Sequence, residues 1–296
     1  LIIHLAEGRI TPGDILQTHT DSRPILPTLF VLLNGVVSKG NMQSEIFLSY
    51  LLYILSFCVL GFLAIRTVPS HPYAPLILVP VAAYYFNFFM LGNLLWGGMS
   101  IFFSSFVLFL ALTIFFLERT QKVDKWYMVA VLSATCCMFS FSPGLIIWVT
   151  GLVYFLILKR EQQIQKIMGW IMAAVVTLYI HLVYLGVSSD GIHGTSGYRQ
   201  YILTFIHYPF QKFICFLGAV GSDIIHVPIT SVFYGAIILI TITALLIYNR
   251  KDLHPKKTGI WYVLLLYSLL TTFMLTLSRS GDGGMFGPET NLIFLP

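Results

Sequence analysis

Charge is what this sequence has least of. Asp, Glu, Lys and Arg make up 10% of its 296 residues, against roughly 25% in ordinary water-soluble chains, whose surfaces need them. That excludes a soluble globular domain. It also excludes nucleic acid as a partner, because the pI of about 9.0 does not come from one basic face. Cysteine is scarce as well. Cys58, Cys136, Cys137 and Cys215 lie in apolar segments without CxxC or Cys/His ligand spacing, so a disulfide scaffold is excluded and buried small hydrophobes are expected. The alternating ten-residue strands of a membrane barrel are absent, and so is a clear internal repeat.

What is present is length without charge. Pro24–Ser38, Ile46–Ile65, Thr67–Leu117, Trp126–Leu158, Ile167–Ser189, Ile224–Asn249 and Thr258–Ser278 contain no Asp, Glu, Lys or Arg. About 20 apolar residues suffice to cross the hydrocarbon core as a helix, and several of these runs are long enough for two crossings. Only helices satisfy their backbone locally in lipid. The expected fold is therefore all-α, a polytopic transmembrane helical bundle with about nine or ten membrane segments in one domain over 1–296. The runs fall at 24–37, 46–65, 74–91, 94–117, 126–142, 144–158, 167–187, 229–248 and 259–278, with shorter pieces near 201–208 and 213–221. Ser142-Pro143-Gly144 divides one run into a tight helical hairpin. The chain starts without Met and stops inside a new apolar run; both ends are expected to continue.

Orientation follows from Lys and Arg in short loops. Loops 118–125, 159–166 and 250–257 hold ten of the seventeen basic residues but four of the twelve acids. That side is expected to be cytoplasmic, in a plasma or inner membrane. The other side receives an outer loop at 1–23, an outer loop with interfacial pieces at 188–228, and 279–296. Membrane helices fill 24–187 and 229–278. Run 24–37 is short and interrupted by Pro27, Asn34 and Gly35, so it is the one expected not to cross fully.

Chemistry belongs where the remaining charges are. Outside the three basic loops stand Glu7, Asp14, Asp21, Glu45, Asp190, Asp223, Asp282 and Glu289, with Arg9, Arg23, Lys39, Arg66, Arg199, Lys212 and Arg279. Arginine holds phosphate through paired hydrogen bonds, and a carboxylate serves as base or binds a divalent cation. The densest group is His19-Thr20-Asp21-Ser22-Arg23, directly before a helix opened by Pro24. The same pattern also describes a plain capped helix start with an interfacial Arg. Asn93 and Trp96 suit a sugar or polyprenyl phosphate, or equally a turn and an aromatic belt. His181 is an ionisable residue within an apolar run, either functional or hydrogen-bonded between helices. Asp190, His193, Tyr198 and Arg199 lie in a Gly/Ser-rich loop that either closes over a substrate or merely connects. Arg279 follows an apolar run and suits a phosphate; Gly281-Asp282-Gly283-Gly284 is a weak phosphate-turn signal, with no strand before it.

Gly8–Gly40, with Asp14-Ile15-Leu16, His19 to Arg23 and Leu32-Leu33-Asn34, resembles polytopic proteins with a "His-Asn-Glu-His-Arg" signature. These belong with the C-type glycosyltransferases, among them the protein O-mannosyltransferases and aminoarabinose transferases. Gly92-Asn93-Leu94-Leu95-Trp96-Gly97 and Phe139-Ser140-Phe141-Ser142-Pro143-Gly144-Leu145 resemble two further blocks of that group, in the same order. Phe216-Leu217-Gly218 and Ser278-Arg279-Ser280-Gly281 resemble later ones. There are departures: Asp21 stands where Glu is usual, Ser22 where His is, and Gly92 where an acid is common.

The resemblance implies a membrane glycosyltransferase that moves a sugar from a polyprenyl phosphate to an acceptor on the non-cytoplasmic face. Asp21 or Asp14 would deprotonate the acceptor or hold a divalent cation. Arg23 and Arg279 would neutralise the departing phosphate, with His19, Asn93, Trp96 and Arg199 binding substrate. Polyprenyl-linked sugar, membrane lipid and an acceptor are the implied partners. The alternative is a polytopic transporter or lipid flippase, whose inverted repeats and mid-membrane charges are not seen here.

Overall fold

The structure is a computed structural model that describes residue 11 and residues 24–67, 82, 98–157, 162–181, 213–214, 216–217, 228–248 and 255–279. It divides into two units, Leu1–Gly186 and Val187–Pro296. All secondary structure among the described residues is helical.

The first unit holds α1 (Ile25–Ser38), α2 (Met42–Thr67), α3 (Gly98–Arg119), α4 (Lys125–Met138), a 3-10 turn (Ser142–Leu145), α5 (Ile146–Ile157) and α6 (Gln163–Tyr179). Helix starts follow local chemistry. Pro24 opens α1, its carbonyl accepting the Thr28 N–H. Asp124 caps α4 by accepting the N–H groups of Trp126 and Tyr127, both at 3.1 Å. Between α1 and α2 the chain reverses through Lys39 and Gly40, at φ 55° and 78°; both are left-handed, and Gly40 takes that conformation without strain.

Helix α3 is the axis. It packs against α1, α2 and α4 and buries Ile101, Ala111, Ile114 and Leu117 together with Ser104, Ser105 and Thr113. Small hydroxyl residues let helices approach closely, and here they satisfy themselves on their own helix: Ser104 and Thr113 donate to Ser100 O and Phe109 O, one turn back in α3, at 2.7 Å. Val31, Leu52, Ile101 and Leu108 join α1, α2 and α3 in one core cluster.

Directions come from paired contacts. Ser49 bonds Ser100 at 2.7 Å near the starts of α2 and α3, Phe62 meets Phe115 further along, and Arg66 approaches Glu118 at their ends. The two helices therefore run parallel, and residues 68–97 connect the far end of one to the near end of the other. Phe30 stacks on Phe109 while Asn34 reaches Ser44, so α1 packs against both α2 and α3. At its 14 residues α1 rises about 21 Å, less than a hydrocarbon core of about 30 Å.

Among the described residues two helices, over Met42–Arg66 and Ser100–Arg119, are long and apolar enough to cross a membrane. Helix α6 distributes its polarity unusually. It buries Lys166, Trp170 and Thr177, and exposes Ile164, Met168, Ile171, Met172, Val175, Val176 and Tyr179 at helical spacing. That is the inverse of a helix facing water.

In the second unit, α7 (Pro228–Tyr248) and α8 (Pro255–Arg279) are apolar helices. Phe216 meets Phe273 of α8 edge-on, and α8 buries Val263 and Tyr267. The expected runs 74–91 (Ala82 apart) and 201–208 lie outside the described residues.

Candidate functional site

One end of the first unit gathers segments that the sequence singled out separately. The Leu26 N–H donates to Phe139 O at 3.3 Å, which ties the start of α1, two residues past Arg23-Pro24, to the end of α4. Beyond Phe139 the chain turns sharply. Phe141 is extended, Ser142–Leu145 forms the 3-10 turn, and the Gly144 N–H donates to Phe141 O at 2.8 Å. Gly144 is required here by space: a Cβ would collide with the main chain at Cys137 and Met138. Ser140, fully buried, donates to Cys136 O at 2.7 Å.

Aromatic rings close this end. Phe141 meets Phe103 and Phe106 edge-on at 5.0 and 5.8 Å, and Phe139 lies 6.1 Å from the His181 ring. His181 follows α6 as part of a wider, π-type turn, a local irregularity common at functional sites. Asn34 donates to Ser44, and the Ser49–Ser100 pair lies one turn beyond Glu45.

Glu45 is the residue here that sequence reasoning underweighted. It is 2% exposed, in the first turn of α2, where the helix dipole favours a carboxylate. The available signal was an acid opening an otherwise apolar run, a functional candidate by default in a membrane setting. The opposite end hides a second such group. Lys166, counted from sequence with the basic loop 159–166, is 1% exposed; its Nζ donates to Gln121 O at 2.8 Å and lies 5.9 Å from the Phe155 ring.

Of the residues expected to form the site, Asp14, His19, Asp21, Arg23, Asn93, Trp96 and Arg199 lie outside the described residues, as do Asp190, His193, Tyr198 and Asp282. Arg279 is the last residue of α8 in the second unit, and its side chain is not described. What is described is the scaffold immediately beside two of the blocks, the segment after Arg23 and the Phe139–Leu145 hairpin. Among the described residues no group of three His, Cys, Asp or Glu side chains is placed to hold a metal ion. The local chemistry is aromatic, with buried hydroxyls, one imidazole and one enclosed carboxylate.

Fold and site thus define a protein that is helical among the described residues, with two helices there of membrane-crossing length. Among known proteins, the chain is 39% identical over 106 residues to an uncharacterised protein of Archaeoglobus fulgidus. The match covers 36% of this chain and 27% of that protein, so the chain spans about a quarter of that relative's length. No family model matches, and no solved structure does.

Proposed function

We propose that the chain is a multi-pass integral membrane protein, and that it is a glycosyltransferase moving a sugar from a polyprenyl-phosphate donor to an acceptor on the non-cytoplasmic face. The membrane part is supported by α6. An outward face of Ile, Met, Val and Tyr over a buried Lys, Trp and Thr suits hydrocarbon outside and polar contact inside. In water, such a patch would be an aggregation liability. Helices α1 and α4, at 14 residues each, are short for a crossing but share the same outward apolar surface, Leu33, Val36 and Val37 on one and Met128 and Leu132 on the other. The basic loops fit a cytoplasmic end: the Val123 N–H donates to Gln162 Oε1 and Lys166 reaches Gln121 O.

The observation that carries the transferase reading is the Leu26–Phe139 hydrogen bond. It brings the chain directly after His19-Thr20-Asp21-Ser22-Arg23 against the Phe139–Leu145 hairpin, and both belong to blocks whose types and order resemble the polyprenyl-phosphate-dependent transferases. In this reading an acid of the preceding segment, Asp21 or Asp14, accepts the proton of the attacking hydroxyl or holds a divalent cation. Arg23 neutralises the lipid phosphate as it leaves, and His19, Asn93 and Trp96 bind the donor.

The test incubates the full-length protein, in membranes or nanodiscs, with radiolabelled polyprenyl-phosphate sugars and an acceptor mixture. Label is expected to leave the lipid, and Asp21→Ala or Arg23→Ala is expected to lower the rate by about 10²–10⁴. Full transfer by either variant, at normal membrane abundance, overturns that residue's role. Absence of transfer from every polyprenyl-phosphate sugar supplied overturns the activity.

A further inference from the structure

The basic end of the first unit carries a site that the transferase reading does not use. Arg119, at the end of α3, lies with its guanidinium 4.3 Å from the Phe115 ring centroid and 5.3 Å from that of Trp126. Lys125 Nζ stands 5.2 Å from the same indole. Two cations thus share one ring, with exposed Lys122 in the loop between them. Each is attracted to the ring's negative face, but the cations repel one another.

Among the described residues, the anion that would balance them is not supplied nearby. Among the described residues, no carboxylate is within ion-pair distance of Arg119, Lys122 or Lys125. Glu118 approaches Arg66 at 3.9 Å, and the Asp124 carboxylate accepts the N–H groups of Trp126 and Tyr127. The Arg119 Nε–H is buried and has no hydrogen-bond partner among the described residues, a donor that costs free energy until it finds an acceptor.

The position of this cluster says where that acceptor comes from. Lys125, Met128 and Leu132 follow one another along a single outward face of α4, all exposed. A cation and an indole at the head of an exposed apolar stripe match a lipid molecule read from phosphate to acyl chain.

We propose that Arg119, Lys122 and Lys125, arranged around Trp126, bind the phosphate of an anionic phospholipid headgroup, with its acyl chain along Met128 and Leu132. The Arg119 guanidinium and the two lysines supply the charge that holds the phosphate. This rests on the membrane reading above but not on the glycosyl-transfer reading.

The experiment titrates the purified full chain, in neutral detergent, with phosphatidylglycerol, with phosphatidylcholine of the same acyl chains, or with inorganic phosphate. Bound lipid is counted by native mass spectrometry. Phosphatidylglycerol is expected to be retained at least about fivefold better than phosphatidylcholine, and Arg119→Gln or Lys125→Gln each to lower its retention about fivefold. The double variant is expected to treat both lipids alike. Lys39→Gln, an exposed cation at the other end, is expected to leave the preference intact. Should Arg119→Gln not fold by circular dichroism, Lys122→Gln with Lys125→Gln carries the test. Equal retention of the two lipids by the unaltered chain overturns the proposal, and so does a preference that survives the double variant. Displacement of bound phosphatidylglycerol by inorganic phosphate at equal concentration also overturns it, by showing a free-anion site. A chain that stays monodisperse without detergent and takes up neither lipid overturns the membrane reading beneath it.

Discussion

The two ends of the first unit are held together by different physics. At the basic end the contacts are polar and specific: Lys166 Nζ to Gln121 O, Tyr127 Oη–H to Lys166 O at 2.9 Å, Gln163 Nε2–H to Phe155 O at 2.9 Å, and Val123 N–H to Gln162 Oε1 at 2.9 Å. At the hairpin end they are mostly steric. Phe103, Phe106, Phe139 and Phe141 fill the space, and one backbone bond, Leu26 to Phe139, joins α1 to the turn. An end fastened by several directional bonds is fixed in register. The hairpin end, where the candidate site lies, is held mostly by ring packing, with the Leu26–Phe139 main-chain bond and the Asn34–Ser44 and Ser49–Ser100 side-chain bonds beside it.

Four substitutions probe that contrast, from the largest effect to the smallest, each read as thermal unfolding of the purified protein in detergent. Gly144→Val drives a side chain into the Cys137 backbone and is expected to cost about 3 kcal/mol, the upper range for overpacking; tolerance within 1 kcal/mol, on the scale set by that same principle, would remove the steric account of the hairpin end. Lys166→Met keeps the stem but removes the donor to Gln121 O, and a loss of about 2 kcal/mol is expected from the orphaned carbonyl. A stabilised Lys166→Met would mean that the buried charge costs more than its bonds return. Ser49→Ala takes away half of the Ser49–Ser100 pair and is expected to lower stability by about 1 kcal/mol. Arg66→Gln tests a 3.9 Å contact whose arginine is 50% exposed, and a change within about 0.5 kcal/mol is expected; a larger loss would assign this ion pair a structural role like that of Lys166.

Much of the helical layout was legible because hydropathy is a local property. The run 46–65 became α2, 94–117 became α3, and 229–248 became α7, each displaced by a few residues at the ends. There, the described part of α3 begins at Gly98, and Met138 rather than Ser142 ends α4. The hairpin was also legible, since Ser142-Pro143-Gly144 cannot continue a helix. The crowding around Gly151 was not. This glycine sits mid-helix in α5 with no turn to mark it, and only the fold reveals that the Trp170 indole rests on its backbone and donates to Trp148 O at 2.8 Å. Lys166 was counted with the basic loop 159–166, since a lysine a few residues after Arg160 and Glu161 gives the same local signal whether solvated or enclosed. The candidate site itself was legible only as short blocks in order. What joins two of them is a main-chain bond, which leaves no trace in side-chain identity.

The sequence alone determined that this chain is helical and apolar, and where its basic loops, breakers and candidate carboxylates fall, because each depends on near neighbours along the chain. The tertiary structure decided which of these meet. It made α2 and α3 parallel, enclosed Glu45 and Lys166 at opposite ends, and set the start of α1 against the α4 turn. Such contacts join residues 50 to 110 or so positions apart, as Ser49 does Ser100 and Leu26 does Phe139. Their energy comes from packing and paired hydrogen bonds between helices, which no stretch of sequence carries by itself.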